Sequence, residues 1–212
     1  MIRKIRKVSI LFLALSLSAC FGGGAEIPHD NFYRLADISP DIKPKVSVSS
    51  PFQVVAVAAL KSDALHRERA ILYSDAKQPL HVQRYNYHHW SQVPNTLIQE
   101  HLIDYLRKAR FSPQVVRYGE VVKIDARITG YIKRFERIID SGEVKVQVRL
   151  ELQFETFGDK RRHYQWIYTV EQAASDRSMD ATVEAFSQAL ESVYQQFLTD
   201  LANVDLASVN SS

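Results

Sequence analysis

Two stretches of strict alternation constrain most of what this chain can fold into. Val144, Val146, Val148, Leu150, Leu152 and Phe154 alternate with Glu143, Lys145, Gln147, Arg149, Glu151 and Gln153. Successive side chains of a strand point to opposite faces, so this run predicts a long strand with one apolar and one wet face. Val122, Ile124, Ala126, Ile128, Gly130 and Ile132 repeat the pattern upstream, and Ser141-Gly142 supplies a turn between them. The two strands are expected to pair antiparallel, and their shared apolar face needs a second layer to cover it.

The rest of the chain supplies that layer and more strands. Apolar residues at 97, 98, 102, 105, 106 and 109 recur at helical spacing across Pro94–Arg110, with Pro94 suited to a first turn. Val183, Phe186, Leu190, Val193, Phe197 and Leu201 form a stripe on a second helix, Met179 to Leu201, which Asp180-Ala181-Thr182 is expected to cap. Further strands are expected at Asn31–Leu35, Phe52–Leu60, Ala70–Ser74, Leu80–Tyr87 and His163–Val170. The continuous apolarity of Phe52–Leu60 predicts burial on both faces. On the last strand Tyr164, Trp166, Tyr168 and Val170 share a face. The fold class that follows is α+β: an antiparallel sheet with two main amphipathic helices packed on one face, in a single domain over residues 31–204. Residues 205–212 read as a polar tail.

The N-terminus is a different kind of sequence. Arg3, Lys4, Arg6 and Lys7 precede an apolar run from Val8 to Leu17, the layout of a secretory signal, and the run is too short to span a bilayer. Leu17-Ser18-Ala19 then leads into Cys20, the only cysteine, in a pattern resembling a bacterial lipobox. Cleavage after Ser18 by an ordinary signal peptidase is the competing reading; it leaves an unpaired thiol in an exported protein. The lipobox reading assigns residues 1–19 to a lipoprotein signal peptide recognised through Leu17, Ser18 and Ala19. Cys20 then becomes an acylated N-terminus with N-acyl and S-diacylglycerol lipid, and residues 20–30 a glycine-rich tether. Of 27 Lys and Arg, four lie in residues 1–19, which hold none of the 24 Asp and Glu. The remainder therefore carries 23 positive against 24 negative charges, net −1, which argues against a nucleic-acid partner.

Nothing in the spacing points to catalysis. The seven histidines form no HxxxH or HxH pattern, and His88-His89 on a strand must point to opposite faces. His81 and His101 could approach each other in the fold, but without such spacing and without a second cysteine nothing completes a site, so the histidines are read as surface or turn residues and no metal is expected. There is no Gly-x-Ser-x-Gly elbow and no phosphate loop, while Asp37 and Asp41 flank Pro40 as loop carboxylates. The expectation is a protein that is not an enzyme. Aromatic residues carry more information, because Tyr and Trp are enriched at interface hot spots. Tyr33, Arg34, Tyr85, Tyr87 and Trp90 are the candidate partner-binding residues; the competing reading is that the large rings cement a strand to the following helix.

The order of segments resembles a family. A lipobox cysteine, a short tether, Phe32-Tyr33-Arg34-Leu35, the Val54-Val55-Ala56-Val57 strand, Leu65 through Tyr73, Tyr85 and Trp90 before Pro94, paired alternating strands and a last helix around Phe186 and Leu190 are similar to the ABC-type transport auxiliary lipoproteins, the paraquat-inducible lipoproteins among them. The resemblance implies a periplasm-facing lipoprotein without catalytic function. It would work with a mammalian-cell-entry type substrate-binding protein and an ABC permease and ATPase, moving lipid between inner and outer membranes. A homo-oligomeric ring is a further implication of the paraquat-inducible relatives. Phe21 after the cysteine is not the aspartate that retains lipoproteins at the inner membrane in enteric-type sorting, which favours the outer membrane, with inner-membrane retention left open. A β-barrel-associated outer-membrane assembly lipoprotein is the alternative function, since it would share the anchor and an exposed sheet edge.

Overall fold

A computed structural model describes residues 28–37, 51–158 and 161–204. The signal segment, Cys20, Asp41 and the tail from 205 lie outside the described residues. In chain order the elements are β1 (Asn31–Tyr33), β2 (Val54–Val57), β3 (Lys61–Ser62), a 3-10 turn (Leu65–Arg67), β4 (Ala70–Asp75), β5 (Gln78–Trp90), α1 (Pro94–Lys108), β6 (Gln114–Arg117), β7 (Ala126–Asp140), β8 (Glu143–Thr156), β9 (His163–Ala173) and α2 (Met179–Asn203).

The alternating run does form the spine. β7 and β8 pair antiparallel from Ala126↔Thr156 to Asp140↔Glu143. The two-residue turn between them has positive φ at both Ser141 and Gly142, the mirror-image turn geometry whose twist suits a hairpin. β9 adds antiparallel to β8. On its other edge β7 is shared lengthwise: β2 pairs with residues 126–128, β3 with 131–132 and β4 with 136–139, all parallel. β6 extends the sheet beyond β2, while β5 and then β1 extend it beyond β4. Among the described residues the nine strands form one sheet. Its long pairings are antiparallel as expected, and its short ones are mostly parallel because the chain repeatedly returns to β7 from the same end.

The two helices cover one face. Val146 to Phe154 and Tyr168 of the sheet share a core with Phe186, Leu190, Val193 and Phe197 of α2, to which α1 contributes Ile98, Leu102 and Leu106. Phe186 packs at ring-centroid distances of 4.3 Å from Phe135 and 5.3 Å from Trp90. Val55, Ala56 and Val57 of β2 are buried, as the unbroken apolar run predicts. Pro94 opens α1, but α2 is capped by Ser178, whose side chain accepts from the Ala181 amide, rather than by the residues that follow it. The upstream strand also differs: it starts at Ala126, not Val122, and runs on to Asp140. Asp125 ends the preceding loop by accepting from the Gln53 and Val54 amides, and Val122 is left fully exposed. β3 and β6 were not expected at all; at two and four residues they carry too little pattern to be seen.

The wet face of β7, β8 and β9 carries cross-strand pairs, including Arg127 with Glu155 at 2.6 Å, Lys133 with Glu151 at 3.2 Å and Lys145 with Glu171 at 2.6 Å. Such half-exposed pairs contribute about 0.2–1 kcal/mol each and chiefly fix register. The same face is not wet throughout. The 3-10 turn folds over it beside β4, burying His66, Leu72, Ser74 and Glu136. Asp63 holds this turn through the His66 amide and Nδ1. Burial pushes the Glu136 carboxyl up, against the opposing pull of Arg134 and His66.

The buried His101 corrects the surface assignment of the histidines. It lies on α1 with Nδ1 3.4 Å from the Tyr194 hydroxyl and Nε2 3.3 Å from the Ala36 carbonyl. Burial lowers its pKa to about 4, although the Ala36 contact opposes the shift. Between pH 6.5 and 4 the unfolded chain therefore binds a proton that the folded chain refuses, and stability falls as pH falls through that window. The loss reaches roughly 3 kcal/mol near pH 4. His101→Gln is expected to flatten this slope in urea titrations across pH 4–7; an unchanged slope contradicts the assignment.

One glycine is irreplaceable for close approach. At Gly130, paired with Leu152, a Cβ would collide with the Glu151 carbonyl and crowd the Leu152 side chain. Gly130→Ala should lower unfolding stability by roughly 1–3 kcal/mol, the usual cost of overpacking a tight site, read as a lower melting midpoint by circular dichroism. A wild-type midpoint would show that the pair can open without cost.

Candidate functional site

Near the start of α2 the helix-side face of the sheet gathers an aromatic and cationic corner: Tyr33 on β1, Tyr73 on β4, Tyr85 and His88 on β5, Arg137 on β7, and Arg177 just before α2. The Tyr73 and Tyr85 rings lie 4.4 Å apart, and His88 meets Tyr85 edge-on at 5.4 Å. The Tyr33 hydroxyl is 2.9 Å from His88 Nδ1. Arg137 donates to the Tyr85 hydroxyl and to the Arg177 carbonyl, each at 2.7 Å. Arg177 in turn donates from Nε to the Gly142 carbonyl, tying the β7–β8 turn to the entry of α2.

A strand bulge puts Arg137 here. Ile132 pairs with Leu150 but Arg134 pairs with Arg149, so β7 carries one extra residue at Lys133. The inner series therefore shifts to Phe135, Arg137 and Ile139. Arg137 is 8% exposed, its Nε has no hydrogen-bond partner, and no carboxylate pairs with it among the described residues. Burial, then the positive charges of Arg137 and His89, hold the His88 imidazole below its ordinary range. Burial and the Asp180 charge push the Tyr33 phenol up, and burial raises Tyr85 against the pull of Arg137. A protonated phenol donating to a neutral imidazole nitrogen satisfies both groups.

The five sequence candidates part company. Tyr33 and Tyr85 belong to the corner. Arg34 is exposed, in a shallow groove lined by Phe32, Tyr33, Ala36, Ser91, Asp180 and Glu184. Tyr87 is 44% exposed on the sheet edge. Trp90 is 1% exposed between Phe135 and Phe186, so it cements strand and helix and cannot reach a partner. His88 and His89 do point apart: His89 packs on Phe32 and lies 3.3 Å from Asp30. His81 is exposed and His101 is enclosed by Ala36 and Tyr194, so the two form no site. Among the described residues no cluster of three His, Cys, Asp or Glu side chains could hold a metal ion, and no helix is long and apolar enough to cross a membrane. Arg137 and Arg177 escaped sequence reading; a lone cation on an apolar strand face would have marked Arg137, had the bulge not shifted its parity.

The sequence that builds this fold matches a known family of transport components. A family model described as the ABC-type transport auxiliary lipoprotein component matches residues 33–197, and the chain belongs to that family. A solved structure from Xanthomonas campestris, described under the family model DUF330, is 16% identical, with 85% of this chain and 99% of that chain covered at a TM-score of 0.71. A second, of an uncharacterized protein, is 11% identical, with coverage of 82% and 97% and a TM-score of 0.57. Both share the fold. No curated protein matches the chain in sequence.

The cationic origin of the His88 shift is testable. Arg137→Met should raise the His88 pKa toward the ordinary value while leaving the part due to burial, as read by NMR titration of the imidazole. No upward movement would assign the whole shift to burial.

Proposed function

We propose that the chain is a lipid-anchored, non-catalytic adaptor of an ABC and mammalian-cell-entry type lipid transport system, held at the outer membrane and facing the periplasm. The observation that carries this reading is the family membership over residues 33–197, joined to a lipobox pattern at Cys20. Acylation of Cys20 with three chains makes the attachment durable, since each buried methylene adds about 0.8 kcal/mol and one chain alone binds reversibly. Residues Leu17, Ser18 and Ala19 serve signal recognition. Phe21 in place of an aspartate supports the outer membrane.

Docking of the mammalian-cell-entry type partner is assigned to the groove around Arg34. There a solvent-facing guanidinium stands among Asp180, Glu184 and the Tyr33 ring. Tyr85 and Arg137 support this groove from behind by fixing β5 against β7. Ring assembly of several copies is compatible with the open outer edge of β9, which pairs only with β8 among the described residues.

A photo-cross-linking residue at Arg34 should trap the transport partner in cells, and Cys20→Ser should abolish palmitate labelling and leave the precursor uncleaved. Recovery of a β-barrel instead would favour the assembly role. Recovery of no partner, with wild-type lipid distribution in a deletion strain, would defeat the adaptor reading.

A further inference from the structure

We infer that the β5 edge of the sheet, from β1 to the β4–β5 turn, rests directly on an anionic lipid surface. This rests on Cys20 carrying the anchor and goes beyond it by saying which face the membrane touches.

The chain enters the domain at this edge. β1 is the last strand on its side of the sheet, pairing Asn31 with His88 in parallel, so the segment leading back to Cys20 leaves from the β5 edge. Pro28 is eight positions after Cys20, which bounds their distance at about 28 Å when fully extended. Register places β1 level with Phe135 of β7, through Ala70↔His89 and Leu72↔Glu136. The other end of β7, at Ala126, is then about 30 Å away. A short anchor holds the β1 corner nearest the bilayer and the Val122 loop farthest from it.

The chemistry of the edge fits that placement. Phe32 is 56% exposed at the level of Ala70 and Leu80 is 94% exposed by the β4–β5 turn, an aromatic and an aliphatic side chain about 15 Å apart along the same edge of the sheet. Arg67 and Arg69 lie at the Phe32 end and Lys77 at the Leu80 end, and none of the three has a carboxylate partner among the described residues. Arg69 lies 4.8 Å above the Phe32 ring and donates Nε to the Trp90 carbonyl, so the guanidinium is held in place beside the aromatic surface. Arg67 is held by the Asp63 carbonyl. The nearby acids are mostly engaged: Asp63 with His66, Glu68 with Arg84 and Asp30 with His89, leaving Asp75, which accepts from the Lys77 amide. Exposed apolar groups flanked by uncompensated cations are the composition that binds the headgroup layer of anionic bilayers.

The test uses the full acylated protein in vesicles of phosphatidylglycerol and phosphatidylethanolamine, with a single added cysteine carrying an environment-sensitive nitrobenzoxadiazole dye. The Cys20 sulfur is blocked by its lipid. A label at Leu80→Cys should shift to the blue and be quenched by shallow nitroxide lipids, whereas one at the exposed Val122→Cys should stay aqueous. Substituting Arg67, Arg69 and Lys77 by Glu should reverse most of the Leu80 shift while the protein still floats with the vesicles. Flotation with an aqueous Leu80 label overturns the orientation alone. Equal shifts at both positions, or a Leu80 shift that appears only when a partner protein is added, also overturn it. Failure of the acylated protein to float overturns the anchor reading and this one with it.

Discussion

The pairing of β7 with β8 is the constraint on which the rest depends. Fourteen register pairs tie the two strands, and every other strand except β1, β5 and β6 pairs directly with one of them. Because one edge of β7 is divided among β2, β3 and β4, chain segments far apart in sequence are aligned against a single ruler. Gly130 allows the close contact with β8 in the middle of that ruler, and the bulge at Lys133 turns its upper part. The upper part is where the aromatic corner stands. The corner is thus a product of one inserted residue as much as of the residues that line it.

What could be read from the sequence follows the strength of periodicity. The β8 alternation and the α1 and α2 stripes are long, and every apolar position named for them is buried. β3 and β6 are too short to leave a pattern, and they pair only because β7 and β2 offer an edge. Val122 and Ile124 continue the β7 alternation on paper, yet Asp125 diverts the chain to cap β2. The candidate site was half legible. Tyr33 and Tyr85 stand out by type and position, while the role of Trp90 depends on Phe186 and Phe135, both distant in sequence. His66 and His101 look like any exposed histidine in one dimension, and only the packing of the 3-10 turn and of Ala36 buries them.

Several polar groups inside this domain fasten segments that are distant in sequence. His101 joins α1 to the segment after β1 and to α2, Ser187 accepts from the Ala36 amide, and Arg137 joins β5 to the loop before α2. These links gather on the segment after β1 and on the loop that leads into α2. The opposite end of the sheet has its own fasteners, with Gln99 of α1 donating to the Val57 carbonyl, Ser112 to the Phe52 carbonyl and Asp125 accepting from the Gln53 and Val54 amides.

The parallel placement of β1 on β5 has a mechanical meaning. A pull on the N-terminal segment along the strand loads the β1 hydrogen bonds together, in shear, rather than peeling them one by one. Three residues alone would yield early, but the load passes on through Ser91 to the Tyr33 carbonyl, through buried Leu35 and through Ala36 clamped by Ser187 and His101. Tension applied at the N-terminal side of the domain would thereby pass into both helices, with His101, neutral near pH 7, joining α1 to that path.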